Sequence, residues 1–202
     1  MKRLPALIFL LVAAAAAAQQ SEPPSAILLI AKPGLADPNF RETVVLVTRT
    51  PDAQMVGVIL NRPTELKLSE LWRESANTAN YSDAVFFGGP VMRRTVISLF
   101  SSPEPPVAPA FPVLKDVYLS MHPGNVEPLL ASRGRAYRLY AGFSGWAPRQ
   151  LEGELERDGW YVVAAREEFL FRKSTAGMWR ELVDQVSGAR AGRESATRAA
   201  IR

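Results

Sequence analysis

Three aliphatic and β-branched runs early in the chain, Ala26 to Ala31, Thr43 to Thr48 and Val56 to Leu60, limit the fold more than any other feature. Each has the length of a strand, and its apolar character is close to continuous instead of alternating. A strand with no polar face must be covered on both sides, so the sheet must carry helices on its faces or curve over itself. The second and third runs are joined by Pro51-Asp52-Ala53-Gln54. This link is polar and opens with a proline suited to a turn, which predicts a hairpin.

Five further strands are predicted: Ala84 to Phe87, Val96 to Phe100, Asp116 to Ser120, Ala136 to Ala141 and Trp160 to Ala164. Apolar residues at helical spacing predict helices over Leu68 to Glu74, Pro148 to Arg157 and Thr175 to Val186, with a helical turn or two from Asn125 to Ser132. Ser101 to Pro112 carries five prolines, which predicts an extended, exposed loop instead of a packed element. A chain of 202 residues, 48% hydrophobic and without repeats, has material for one sizeable core. The expectation is a single compact α+β domain over residues 26–187, with a mixed, largely antiparallel, curved or barrel-like sheet flanked by helices.

The two ends differ from this domain. Lys2 and Arg3 precede an apolar run from Leu4 to Val12 and an alanine tract ending near Ala18, the pattern of a cleaved signal peptide over residues 1–18. The mature protein is therefore expected in the periplasm or outside the cell, with no membrane span after cleavage. At the other end, residues 188–202 hold Arg190, Arg193, Arg198 and Arg202 against Glu194 and read as a basic, disordered tail. The net charge of +4 thus sits largely at the termini. A nucleic-acid reader carries its charge on a folded face, so this distribution argues against nucleic acid as a partner.

Chemistry-bearing candidates are few. Gly142-Phe143-Ser144-Gly145-Trp146 looks like a serine-hydrolase elbow, but the second glycine comes one position early. The chain has one histidine, His122, to serve as a base for Ser144. The alternative reading is a tight strand-to-helix turn in which Gly142 and Gly145 supply the bend, Trp146 plugs the core and Gln150 bonds loop backbone. Glu152, Glu154 and Glu156 alternate by two and fan around a solvated helix face. With no cysteine and one histidine, no metal site and no cofactor is expected. Gly88-Gly89-Pro90-Val91 lacks the lysine and hydroxyl of a phosphate loop and reads as a structural turn. The best ligand candidates are Asp37, Arg41, Thr43, Asn61, Arg62, Gly88 and Gly89, with Arg62 able to clamp an anion. Against this, Asp37 and Asn61 could cap turns while Arg41 and Arg62 pair with acidic neighbours.

Four segments occur together and in order: A-K-P-G-L-A-D-P-N-F-R-E-T from Ala31, G-V-I-L-N-R-P from Gly57, G-G-P-V from Gly88 and G-F-S-G-W-A-P-R-Q-L-E-G-E-L from Gly142. On these the chain resembles the YqgE/AlgH family from about Ile27 to Val186. The resemblance implies one mixed α and β domain and, for most members, no established biochemical activity. Some members carry a transcriptional-regulator label, and the AlgH name a proposed role in alginate expression. Two departures stand out. Members are usually cytoplasmic, and at the position of Ser144 they commonly have alanine. The function expected is a non-enzymatic binding or interaction protein whose motif loops meet in one groove, with an unknown protein or small anionic ligand as partner. A hydrolase using the Ser144 region and a transcriptional regulator are the alternatives.

Overall fold

The computed structural model describes residues 26–73, 78, 81–132 and 134–200, with side chains as far as residue 189. The signal-like segment 1–18 lies outside the described residues.

The first three runs form β1 (Ala26–Ala31), β2 (Val44–Arg49) and β3 (Met55–Ile59), paired antiparallel in sequence. Their side chains explain the continuous apolar pattern. Leu28, Ile30, Val44 and Leu46 enter one core, and Leu29, Ala31, Val45 and Val47 enter another on the opposite face. Both faces are buried, as the runs require.

The other strands are β4 (Phe86–Phe87), β5 (Val91–Ser101), β6 (Phe111–Leu114), β7 (Val117–Ser120), β8 (Tyr137–Trp146) and β9 (Trp160–Ala164). Among the described residues nine strands make one sheet in the order β6-β7-β5-β8-β3-β2-β1-β9, with β4 lying parallel against β8. Every other pairing is antiparallel. The sheet curls far enough for its β6 edge to reach β2, where the Thr48 hydroxyl donates to the Pro112 carbonyl at 2.9 Å. Inside the curl lie Leu28, Leu46, Val58, Ile97, Leu119 and Tyr140. The architecture is the single α+β domain with a curved sheet that the sequence predicts.

Short helices α1 (Leu68–Leu71), α2 (Val126–Ala131), α3 (Gln150–Glu156) and α4 (Glu167–Leu170) fill the connections, and α5 (Met178–Ala200) closes the domain. Leu182 and Val183 of α5 pack into the curl, and the Trp179 indole donates to the Ala31 carbonyl at 2.7 Å. The helix runs well past Val186, because the alanine, arginine and glutamate residues of 188–200 are good helix formers. No helix among the described residues is long and apolar enough to cross a membrane.

Three sequence expectations are corrected. The proline-rich stretch ends inside a strand: Pro112 belongs to β6, an edge strand that tolerates a missing N–H. Val91 starts β5 five positions before the predicted Val96, and the ladder is irregular between these two residues. Most important, the chain does not turn at Gly142 to Gly145. β8 continues to Trp146, and the turn falls at Ala147 to Arg149, where Arg149 takes a φ of +66°. Strand hydrogen bonding outweighs the two glycines, because β3 offers partners to residues 144–146. As expected, the Gln150 side chain does bond the loop, accepting from the Ala147 N–H at 3.1 Å.

Candidate functional site

β8 changes partners partway along its length. Its first part pairs with β5 and β4, and Ser144 to Trp146 pair with β3. Gly142, at φ +71°, stands where the change occurs. Gly88 crosses the strand there, its N–H donating to Ala141 at 3.0 Å and its carbonyl accepting from Ile59 at 3.0 Å. The crossing is too close for side chains. A Cβ at Gly88 would lie 2.1 Å from the Gly142 oxygen, and one at Gly89 would lie 2.3 Å from Phe143 backbone.

Ser144 is sealed in this crossing. It has no exposed surface, and its hydroxyl donates to the Gly88 carbonyl at 3.0 Å. His122 lies after β7, separated from β8 by β5, and its Nδ1 accepts from the Gly124 N–H at 3.1 Å. The structure therefore does not bring the serine and the histidine together.

The other candidates form a knot beside the crossing. Asn61 accepts from the Val44 N–H at 2.9 Å and donates to the Glu42 carbonyl at 2.9 Å, tying the end of β3 to the start of β2. Asp37 accepts from the Asn39 backbone at 2.8 Å, and the Thr43 hydroxyl donates to Phe40 at 2.7 Å. The Arg62 guanidinium donates to the carbonyls of Asn39 at 2.7 Å and Arg41 at 3.1 Å, and lies 5.8 Å from the Phe87 ring centre. Burial, and then the neighbouring Arg41 cation, push its pKa down from the usual guanidinium range. Asp37 and Asn61 thus act as turn and strand ties, whereas Arg62 bonds carbonyls instead of acidic neighbours. Phe40, from the same loop, stacks on Trp146 at 5.9 Å and meets Trp160 edge-on at 5.6 Å. The four sequence motifs are therefore one packed assembly.

The glutamates of α3 need one correction. Glu152 and Glu156 are exposed, but Glu154 accepts both the Trp146 indole at 3.1 Å and the Trp160 indole at 3.0 Å. It is the polar anchor of the second core.

A cavity of about 610 Å³ opens on the other side of Phe86, between β8 and the segment leading into α5. Arg138 is part of its lining, only 8% exposed, with its guanidinium 4.3 Å from the Phe86 ring centre. The guanidinium donates to the Leu60 carbonyl at 3.5 Å and to the Arg172 carbonyl. Lys173, Ser174, Thr175 and Ala176 line one wall, and Tyr81, Asp83 and Tyr137 another. Burial, reinforced by the Asp83 charge, raises both phenols, so Tyr81 and Tyr137 remain hydrogen-bond donors at neutral pH. Two residues along β8 from Arg138, Tyr140 is fully buried, and burial pushes its phenol up to about 12 against the pull of Arg138. Sequence reasoning missed this site. Its one available signal was an arginine at position 138 inside the apolar strand predicted from Ala136 to Ala141.

Together the curled sheet and the motif assembly define a class of small single-domain α+β proteins. The AlgH-like family model matches residues 28–191, and the chain belongs to that family. A UPF0301 protein of Streptomyces coelicolor is 33% identical over 165 residues, covering 80% of this chain and 86% of its own length. One from Mycobacterium tuberculosis is 34% identical over 164 residues, covering 77% and 79%. The solution structure of AlgH from Pseudomonas aeruginosa is similar with a TM-score of 0.65 and 26% identity, covering 86% of this chain and 91% of that one. A crystal structure of the Corynebacterium diphtheriae protein DIP2367 shares the fold, with a TM-score of 0.64 at 20% identity over 81% of this chain and 87% of that one.

Proposed function

We propose that this protein is a non-catalytic binding protein of the AlgH-like family that works outside the cytoplasm. The observation that carries the reading is the state of Ser144: a hydroxyl without exposed surface, already donating to Gly88, cannot meet a substrate carbonyl. The motif strand most suggestive of chemistry is occupied in holding the sheet together. The cavity at Arg138 is a concave feature on which polar groups converge, the usual form of a small-ligand site. Export is supported by Lys2, Arg3 and the apolar and alanine-rich run to Ala18. With export, a direct role in transcription is not available to the protein.

The test combines two measurements on the native chain. A fluorophosphonate probe followed by peptide mass spectrometry should find Ser144 unmodified, and generic esters should not be turned over. Fractionation of a C-terminally tagged copy should recover it outside the cytoplasm, shortened by about the length of the signal-like segment. Stoichiometric labelling of Ser144 would return the protein to the hydrolases. Uncleaved protein in the cytoplasm would remove the export reading.

A further inference from the structure

Resting on the non-catalytic reading above, we propose that the cavity lined by Arg138 binds a small organic anion carrying an aromatic ring, as a carboxylate or a phosphate monoester. Arg138 is the one buried charged side chain among the described residues, and its hydrogen-bond partners, the Leu60 and Arg172 carbonyls, are neutral. Among the described residues no ion pair joins it, or Lys173 on the cavity wall, to a carboxylate. A buried cation without a counter-charge is costly, and an anion entering the cavity would supply one. A guanidinium has five N–H donors in a flat fork, so it suits a carboxylate or a phosphate equally well.

Three further features point the same way. Ser174, Thr175 and Ala176 line the wall and lead directly into α5, so the positive end of a 23-residue helix adds to the field of Arg138 and Lys173. Asp83, in the lining beside Tyr81 and Tyr137, would repel an anion there, which leaves Arg138 and Lys173 to receive the anionic group. Phe86 and Phe171 give apolar walls, and about 610 Å³ is far more than an inorganic anion fills. The ring would lie on these walls and the anionic group on Arg138.

The experiment titrates the full chain with phenyl phosphate, phenylacetate, benzyl alcohol and inorganic phosphate, followed by backbone NMR shifts. Saturable binding is expected for one or both aromatic anions, with the largest changes at Arg138 and at residues 173–176. Benzyl alcohol and inorganic phosphate should each bind at least about tenfold more weakly, as expected when one charged contact or one ring is missing. Which aromatic anion binds more tightly decides between the carboxylate and phosphate sources. Arg138→Gln should weaken binding about tenfold or more, and Lys173→Gln, at an exposed position, should weaken it a few fold without loss of fold. If Arg138→Gln fails to fold, Lys173→Gln and the four-ligand comparison decide. No saturation by either aromatic anion, equal binding of benzyl alcohol or inorganic phosphate, or an unchanged Lys173→Gln affinity would each overturn the proposal. None of these outcomes bears on the labelling of Ser144, so failure here leaves the non-catalytic reading standing.

Discussion

A methyl group added at Gly88 would press against the Gly142 carbonyl, whereas one added at Gly153, within α3, meets nothing closer than 3.5 Å. The two substitutions should therefore act in opposite directions. Gly88→Ala forces backbone apart at the strand crossing and should cost about 3 kcal/mol or more. Gly153→Ala gains helix propensity and should stabilise by about 0.5–1 kcal/mol. Urea denaturation at constant m-value measures both. Ser144→Ala belongs to the same crossing. It removes one hydrogen bond, but the Gly88 carbonyl keeps the Ile59 N–H, so the loss should be only about 1 kcal/mol. The sequence makes the glycine requirement at 88 and 142 legible. It does not show that the two meet, because the contact joins residues far apart in the chain.

Helix α3 shows where periodicity stops informing. Alternation by two predicts three solvated glutamates, and Glu152 and Glu156 are so. Glu154 differs because β8 and β9 each bring an indole N–H to it, and nothing local announces either strand. Glu154→Leu would leave two nearly buried donors without a partner and should cost about 2–4 kcal/mol, while Glu154→Gln, which keeps one acceptor oxygen, should cost less. Chemical denaturation followed by tryptophan fluorescence reads both variants. α5 offers a pH test. Arg172 pairs with Glu181 through both guanidinium ends, at 2.6 and 2.9 Å, and this hydrogen bonding holds the Glu181 carboxyl below its ordinary pKa. A carboxylate lowered on folding stabilises above its unfolded pKa, and that contribution disappears as pH falls through the folded value. Arg172 is partly exposed and Glu181 exposed, so solvent screening leaves the pair worth at most about 1 kcal/mol. Wild type should melt slightly above Glu181→Gln at neutral pH, and calorimetry should find the gap narrowing as pH falls below the ordinary carboxylate range.

At the scale of the whole molecule, β8 makes the domain one unit. Among the described residues it is the one strand of the sheet order that joins the β5-β7-β6 part to the β3-β2-β1-β9 part. Most strands were legible as apolar runs, and burial of both faces followed from their continuity. The pairing order was not, because it depends on β8 passing straight through Gly142 to Gly145, where local chemistry favours a turn. The candidate residues from Asp37 to Gly89 were legible as a cluster, and the structure does gather them, with their polar groups largely spent on backbone. The Arg138 cavity left only that one arginine as a signal, because its lining comes from four separate stretches of chain. The unity of the domain therefore depends on the segment that resembles an elbow being sheet interior. Amide hydrogen exchange across β8 tests this most directly. Residues 143–146 should exchange as slowly as β2 and β3, opening only with global unfolding. Exchange in that segment as fast as in the exposed 103–110 loop would contradict the account.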